Sequence, residues 1–173
     1  MLIQFSVENF LSIKDKVVLS LLASKDNEHP EHLIMDGNKS YLKSAVIYGA
    51  NASGKSNVLN AFWFMVNYVL TSHNQQLHKT IDRSPFKFDP ETPTRPSSFE
   101  VIFTTEGIRY AYGFSVTDKA VTEEYLYYYP NGRKALIFER KNVKDFRFTV
   151  DIDEQNTLKE RTSANKLYLS VAS

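Results

Sequence analysis

Gly49-Ala50-Asn51-Ala52-Ser53-Gly54-Lys55-Ser56, followed by Asn57, is the stretch on which the reading of this chain turns. Its pattern, Gly-x4-Gly-Lys-Ser, suits a loop that curls round a phosphate with its N–H groups pointing inward. Glycine adopts the backbone angles of such a curl at little cost. A helix expected from Ser56 would aim its positive dipole end and its free N–H groups at the same anion. Lys55 would reach the β- and γ-phosphates of a nucleotide as a mobile positive charge. The Ser56 hydroxyl would take one position in the octahedral shell of Mg²⁺. ATP and Mg²⁺ are therefore the expected ligands of residues 49–57, with Ser56 as the metal residue. Average residue frequencies give such a pattern by accident in roughly one of a couple of hundred chains this long.

The flanks supply the context the loop needs. Ala45-Val46-Ile47-Tyr48 is a short apolar run without alternation, as expected of a strand buried on both faces, and it feeds straight into the loop. After the loop, Val58, Leu59, Phe62, Met65, Val66 and Val69 recur at helical spacing. Strand, loop and helix thus follow in order. Upstream, Leu2, Ile3, Phe5 and Val7 suggest an opening strand ending near Glu8-Asn9-Phe10, and Val17 to Leu22 a second. Lys25 to Asn38 reads as a polar connection rich in turn formers.

Downstream, residues 71–98 turn polar and hold four prolines, which predicts an irregular excursion. The period then changes to two. Ile108, Tyr110, Tyr112, Phe114 and Val116 alternate with Arg109, Ala111, Gly113 and Ser115, the pattern of a half-buried strand. Turn residues at 105–107, 117–119 and 130–132 make residues 99–150 an antiparallel meander with strands at 121–129, 135–140 and 146–150. The tyrosines at 110, 112, 125, 127, 128 and 129 could stack bases, but aromatics favour strands for packing reasons, and no basic residues are interleaved with them. Packing is the expected role. Hydrolysis needs an acidic residue at a strand end and a group that orients water. The nearest candidate, Val150-Asp151-Ile152-Asp153-Glu154, reads as a solvated turn because Asp151 breaks the apolar run.

The bulk numbers narrow the class. At 173 residues, 42% hydrophobic and 24% charged, the chain suits one globular domain or a large piece of a longer protein. A net charge of +1 leaves the nucleic-acid question open, and zero cysteines exclude disulfides and thiolate zinc sites. The N-terminus lacks a signal-peptide pattern, and the run Ala61 to Leu70 is too short to span a bilayer. A cytoplasmic, soluble protein without a membrane partner is expected.

Gly49 to Asn57 resembles the G-x-N-G-S-G-K-S-N loop of the SMC, RecN and RecF branch of ABC-type ATPases. Phe5-Ser6-Val7-Glu8-Asn9-Phe10-Leu11-Ser12-Ile13 is similar to the first strand of that branch, with Leu11 where an arginine is usual. With Lys14-Asp15, Val17 to Leu21 and Asn165 to Ser170, the chain looks most like the RloA and AbiL type of ATP-binding proteins, which belong to bacterial phage-defence systems. Ala52 stands where that loop usually has glycine, a change expected to be tolerated if its backbone angles stay negative. Leu169-Ser170-Val171-Ala172 resembles the family's signature segment but lacks its glycine.

The resemblance implies an α/β fold: a P-loop NTPase, ABC-type N-terminal lobe with a mixed core sheet and an antiparallel β meander. Residues 1–70 would hold the first strands, loop and helix, 71–98 the irregular connection, 99–150 the meander, and 151–173 a connection toward a second lobe. It implies an AAA-type ATPase switch or clamp that drives an effector in antiviral defense, with turnover in the complete protein and little in the isolated chain. The partners implied are a second ATPase head in a homodimer or higher oligomer, a remaining C-terminal lobe, and a nuclease or toxin effector, with nucleic acid as a further ligand. Three readings stand beside it: an ATP-binding interaction module without turnover, a DNA-repair ATPase of the RecF and RecN branch, and a nucleotide or small-molecule kinase. The kinase would need an arginine-rich lid, and none is evident. Leu167, Tyr168, Leu169 and Val171 are expected to be exposed and to form a contact with a partner.

Overall fold

Seven strands join in one sheet in the computed structural model, which describes residues 1–24, 29–37 and 39–173. Strand β1 (Leu2–Glu8) buries Ile3, Phe5 and Val7 on one face. Its partner β2 (Val17–Ser20) returns antiparallel, with Val7 opposite Val17 and Gln4 opposite Ser20. A two-stranded hairpin of β3 (Leu33–Asp36) and β4 (Lys39–Leu42) forms a second sheet, tied through Tyr41 to Leu22 just after β2. The meander follows as β5 (Ser97–Thr105), β6 (Ile108–Val116), β7 (Val121–Tyr128), β8 (Ala135–Lys141) and β9 (Asp145–Phe148). The spatial order is β2-β1-β5-β6-β7-β8-β9, with every pairing antiparallel. Between β5 and β6, Glu106 and Gly107 both take positive φ, the requirement of a two-residue hairpin turn.

Helix α1 (Lys55–Thr71) lies across the buried face, turning Ala61, Met65 and Tyr68 inward at i, i+4 and i+7. Phe62 meets Phe5 edge-on at 5.1 Å, and Phe64 lies 5.1 Å from Phe99 and 5.2 Å from Phe10. Each buried aromatic contributes about 1.5–3 kcal/mol, so this seam holds the helix and hence the phosphate loop. At the other end of the face, α2 (Ile152–Glu160) and α3 (Tyr168–Ala172) pack, with the Tyr168 ring against Phe138, Phe146 and Phe148.

The structure corrects several expectations. Residues 44–50 form no strand, and the sheet is antiparallel rather than mixed. Val46 is 71% and Tyr48 87% exposed, where burial on both faces was expected. A buried strand needs neighbours at both edges, and residues 44–50 pair with none of the described strands. Within 25–38, residues 25–28 and Asn38 lie outside the described residues. The remainder holds a 3₁₀ turn (Pro30–His32) and β3, with Ile34 opposite the buried Tyr41 and Gly37 at positive φ. Asp153 and Glu154, expected in a solvated turn, occupy the first turn of α2, where their charge complements the helix dipole. The expected exposed contact at the C-terminus is also overturned. Leu167 and Tyr168 are fully buried, and Leu169 and Val171 are half-buried, so the segment completes the local core.

The excursion at 71–98 is irregular, as expected, but it is firmly tied. The wholly buried Asn9 donates from Nδ2 to the carbonyls of Thr92, Arg95 and Pro96 at 2.8, 3.0 and 3.1 Å, and its Oδ1 accepts the Phe86 N–H. Arg83 donates to Asp118, Ser97 Oγ and the carbonyls of Arg95 and Pro93. The tyrosines pack as expected. Tyr112 is buried, and Tyr125 lies over Gly113, where a Cβ would meet its hydroxyl at 2.5 Å. Cations do reach two of the rings, Lys134 over Tyr127 at 3.7 Å and Arg109 over Tyr129 at 4.0 Å.

Candidate functional site

The phosphate loop is a consequence of where α1 begins. Lys55 opens the helix, one residue before the expected start, and Gly54 caps it in the left-handed region at φ 90°. The first-turn amides of a helix, here including those of Lys55 and Ser56, have no carbonyl one turn back to bond. They point out of the helix end toward the loop, with the positive end of the dipole behind them. Within the loop, the Ser53 N–H donates to Ala50 O at 3.2 Å. Lys55 Nζ folds over it and donates to the carbonyls of Gly49 and Ala50 at 2.8 and 2.7 Å. An ammonium held over the loop mouth by two neutral carbonyls is free to exchange them for anionic oxygens, which bind it more strongly.

Two glycines are there for space. A Cβ on Gly49 would lie 2.8 Å from Ser53 Oγ, and one on Gly54 would lie 2.8 Å from Ser12 Oγ. Ala52 departs from expectation: its φ is +63°, not negative. A left-handed non-glycine residue stores roughly 1–2 kcal/mol. The loop therefore carries strain where the related motif has glycine.

The structure places Gly49 to Asn57 together on one turn and adds a wall that the loop motif alone did not reveal. The connection between β1 and β2 doubles back at Phe10–Ile13, whose backbones exchange two 2.9 Å hydrogen bonds. That turn brings Ser12 against the helix start, where Asn57 Nδ2 donates to Ser12 Oγ at 2.7 Å. Between them opens a cleft of about 410 Å³, lined by Ser12, Lys14, Asp15, Lys16, Tyr48 and Lys55 among others. Leu11 packs against the core and is not part of this cleft. Lys14 and Lys16 supply positive charge from the next few residues. Lys14 also pairs with Asp89 at 2.7 Å, which holds the Asp89 carboxyl below its ordinary range. Asp15 is a carboxylate in the cleft wall, the type of group a loop-bound cation needs nearby. The similarity of residues 5–13 to the related first strand was the signal that could have pointed to this wall.

Ser56 is exposed on the first turn of α1, next to Lys55, and does not line the cleft. The geometry suits a polyphosphate: free amides and a lysine at the loop, further lysines opposite, and a cleft within the usual size range for small ligands. Residues 44–173 match the family model described as "AAA domain, putative AbiEii toxin, Type IV TA system". The chain belongs to that family. No curated protein matches it. The matched region of this AAA domain starts at Ser44, just before the phosphate loop, so β1, β2 and the Ser12–Lys16 wall lie outside it. Nucleotide binding by a P-loop of the AAA type is what the family supports. Among the described residues no helix is long and apolar enough to cross a membrane.

Proposed function

We propose that this chain is the ATP- and Mg²⁺-binding lobe of an SMC-like switch ATPase, acting on an effector in bacterial phage defence. The observation that carries the reading is the Lys55 ammonium over a loop at the open end of α1, facing a cleft walled by Ser12 to Lys16. ATP enters with its β- and γ-phosphates on the amides of Gly54 to Ser56, and Lys55 leaves the two loop carbonyls for the phosphates. Ser56 Oγ would hold Mg²⁺, which would supply positive charge to the phosphates, and Lys14 and Lys16 add positive potential at the open side. The Asn57–Ser12 hydrogen bond joins loop and wall, so nucleotide occupancy is felt by β1 and the sheet behind it. A second ATPase head or a further lobe supplies the capping and water-orienting groups for turnover. The exposed apolar run Ala45 to Tyr48 is a strand-forming segment that such a lobe would pair.

Calorimetric titration with MgATP tests the reading. A charge-assisted contact is worth about 1.5–3 kcal/mol, so Lys55→Ala weakens binding roughly 10- to 100-fold. Equal affinity in the parent and a folded variant overturns it.

A further inference from the structure

Away from the cleft, the 3₁₀ turn at Pro30–His32 gathers three side chains with metal-ligand chemistry. His29 precedes the turn in the left-handed region at φ 73°. Its Nδ1 lies 3.3 Å from Glu31 Oε1, and His32 Nε2 lies 3.2 Å from that same oxygen. The two rings stand 5.6 Å apart, centre to centre, at 73°. All three ligand atoms lie within 4.8 Å of one another.

Both histidine–carboxylate distances lie at the long end of the range for a hydrogen bond. In a tetrahedral zinc site, with bonds of about 2.0–2.1 Å, two ligand atoms are separated by about 3.3–3.4 Å. The histidine–carboxylate pairs stand near that separation, and the two imidazole ligand atoms lie within 4.8 Å of each other. Lys43 Nζ donates to the Glu31 carbonyl at 2.8 Å, not to the carboxylate.

We propose that His29, Glu31 and His32 form a site for one zinc ion, with water in the fourth position. Two imidazoles and one carboxylate suit zinc, and disfavour magnesium, which prefers an all-oxygen octahedron. The site is independent of the nucleotide cleft. Its ligands are exposed and have little outer support, so the affinity is micromolar rather than nanomolar.

The test is competition of the full chain against a chromophoric zinc indicator, with magnesium as the control ion. One zinc per chain, with a dissociation constant below about 10 µM, is expected. His29→Ala and His32→Ala should each weaken it at least tenfold, about the least effect expected of losing a ligand. The surface control His78→Ala should leave it unchanged. Both ligand variants alter exposed side chains, so matching melting curves without metal show that they are folded. Binding weaker than about 10 µM, or binding that persists in the His29→Ala/His32→Ala double variant, overturns the site.

Discussion

Removing the Glu124 carboxylate should cost this fold more than any surface change. Glu124 is wholly buried on β7, beneath the start of α3. Its Oε1 accepts the Tyr112 hydroxyl and the Leu169 N–H at 3.0 Å each, and its Oε2 accepts the Tyr168 N–H at 2.6 Å. Two of those donors are first-turn amides of α3, so the carboxylate is the cap of that helix. Arg140, equally buried, stands 4.0 Å away and spends its own donors on the carbonyls of Val143 and Lys166. Burial pushes the Glu124 carboxyl up, while the two amides, Arg140 and Tyr112 pull it down.

Glu124→Ala strands three donors and leaves the Arg140 charge without its neighbour. Breaking a buried pair from one side costs about 3–5 kcal/mol, and a chain of this length melts about 2–4 °C lower per kcal/mol. The expected drop is therefore roughly 6–20 °C in Tm, with a parallel shift of the urea midpoint. Glu124→Gln keeps the volume and one acceptor oxygen and should fall between parent and Glu124→Ala. Replacing both partners, as Glu124→Leu/Arg140→Met, should lose less than the sum of the single changes, because no charge is stranded. A Glu124→Ala variant within about 1 kcal/mol of the parent would refute the reasoning, since a buried carboxylate that caps a helix cannot be idle.

Asn9→Ala should cost about 2–4 kcal/mol, because it orphans buried partners and puts alanine at φ 53°; faster proteolysis between residues 84 and 97 is the accompanying readout. Ala52→Gly should relieve the left-handed strain, with glycine's added freedom in the unfolded chain offsetting part of the gain. Its net effect lies between none and about 1 kcal/mol of stabilisation by urea unfolding, and a clear loss of stability would contradict it. Asp89 is held low by the hydrogen bond from Lys14, so its contribution to stability is present above the ordinary aspartate range and lost as pH falls through its folded value. Lys14→Ala should move the Asp89 titration upward in carboxyl NMR, and an unmoved titration would count against the pair.

What was legible in the sequence was local. The phosphate loop is specified by eight consecutive residues whose spacing carries its own geometry. The alternation at 108–116 carries the strand that the structure shows. Ala45 to Tyr48 misled because a strand is made by its neighbours, and the run pairs with none of the described strands. Asp153 and Glu154 were read as solvated, which they are, but their place at a helix start outweighed the turn reading. The groups that hold the chain together joined distant positions: Asn9 to Pro96, Arg83 to Asp118, Glu124 to Leu169. No periodicity reports such pairs. Ser12 and Asn57 belong to the same class, 45 residues apart and in direct contact.

Mapping of backbone amide shifts on the labelled chain during MgATP addition tests the central claim most directly. The account predicts the largest changes at Ser53 to Asn57 and, across the cleft, at Ser12 to Lys16, with both sets abolished by Lys55→Ala. Silence at both sets, or changes centred on the outer sheet face around Tyr125 and Glu139, would contradict it.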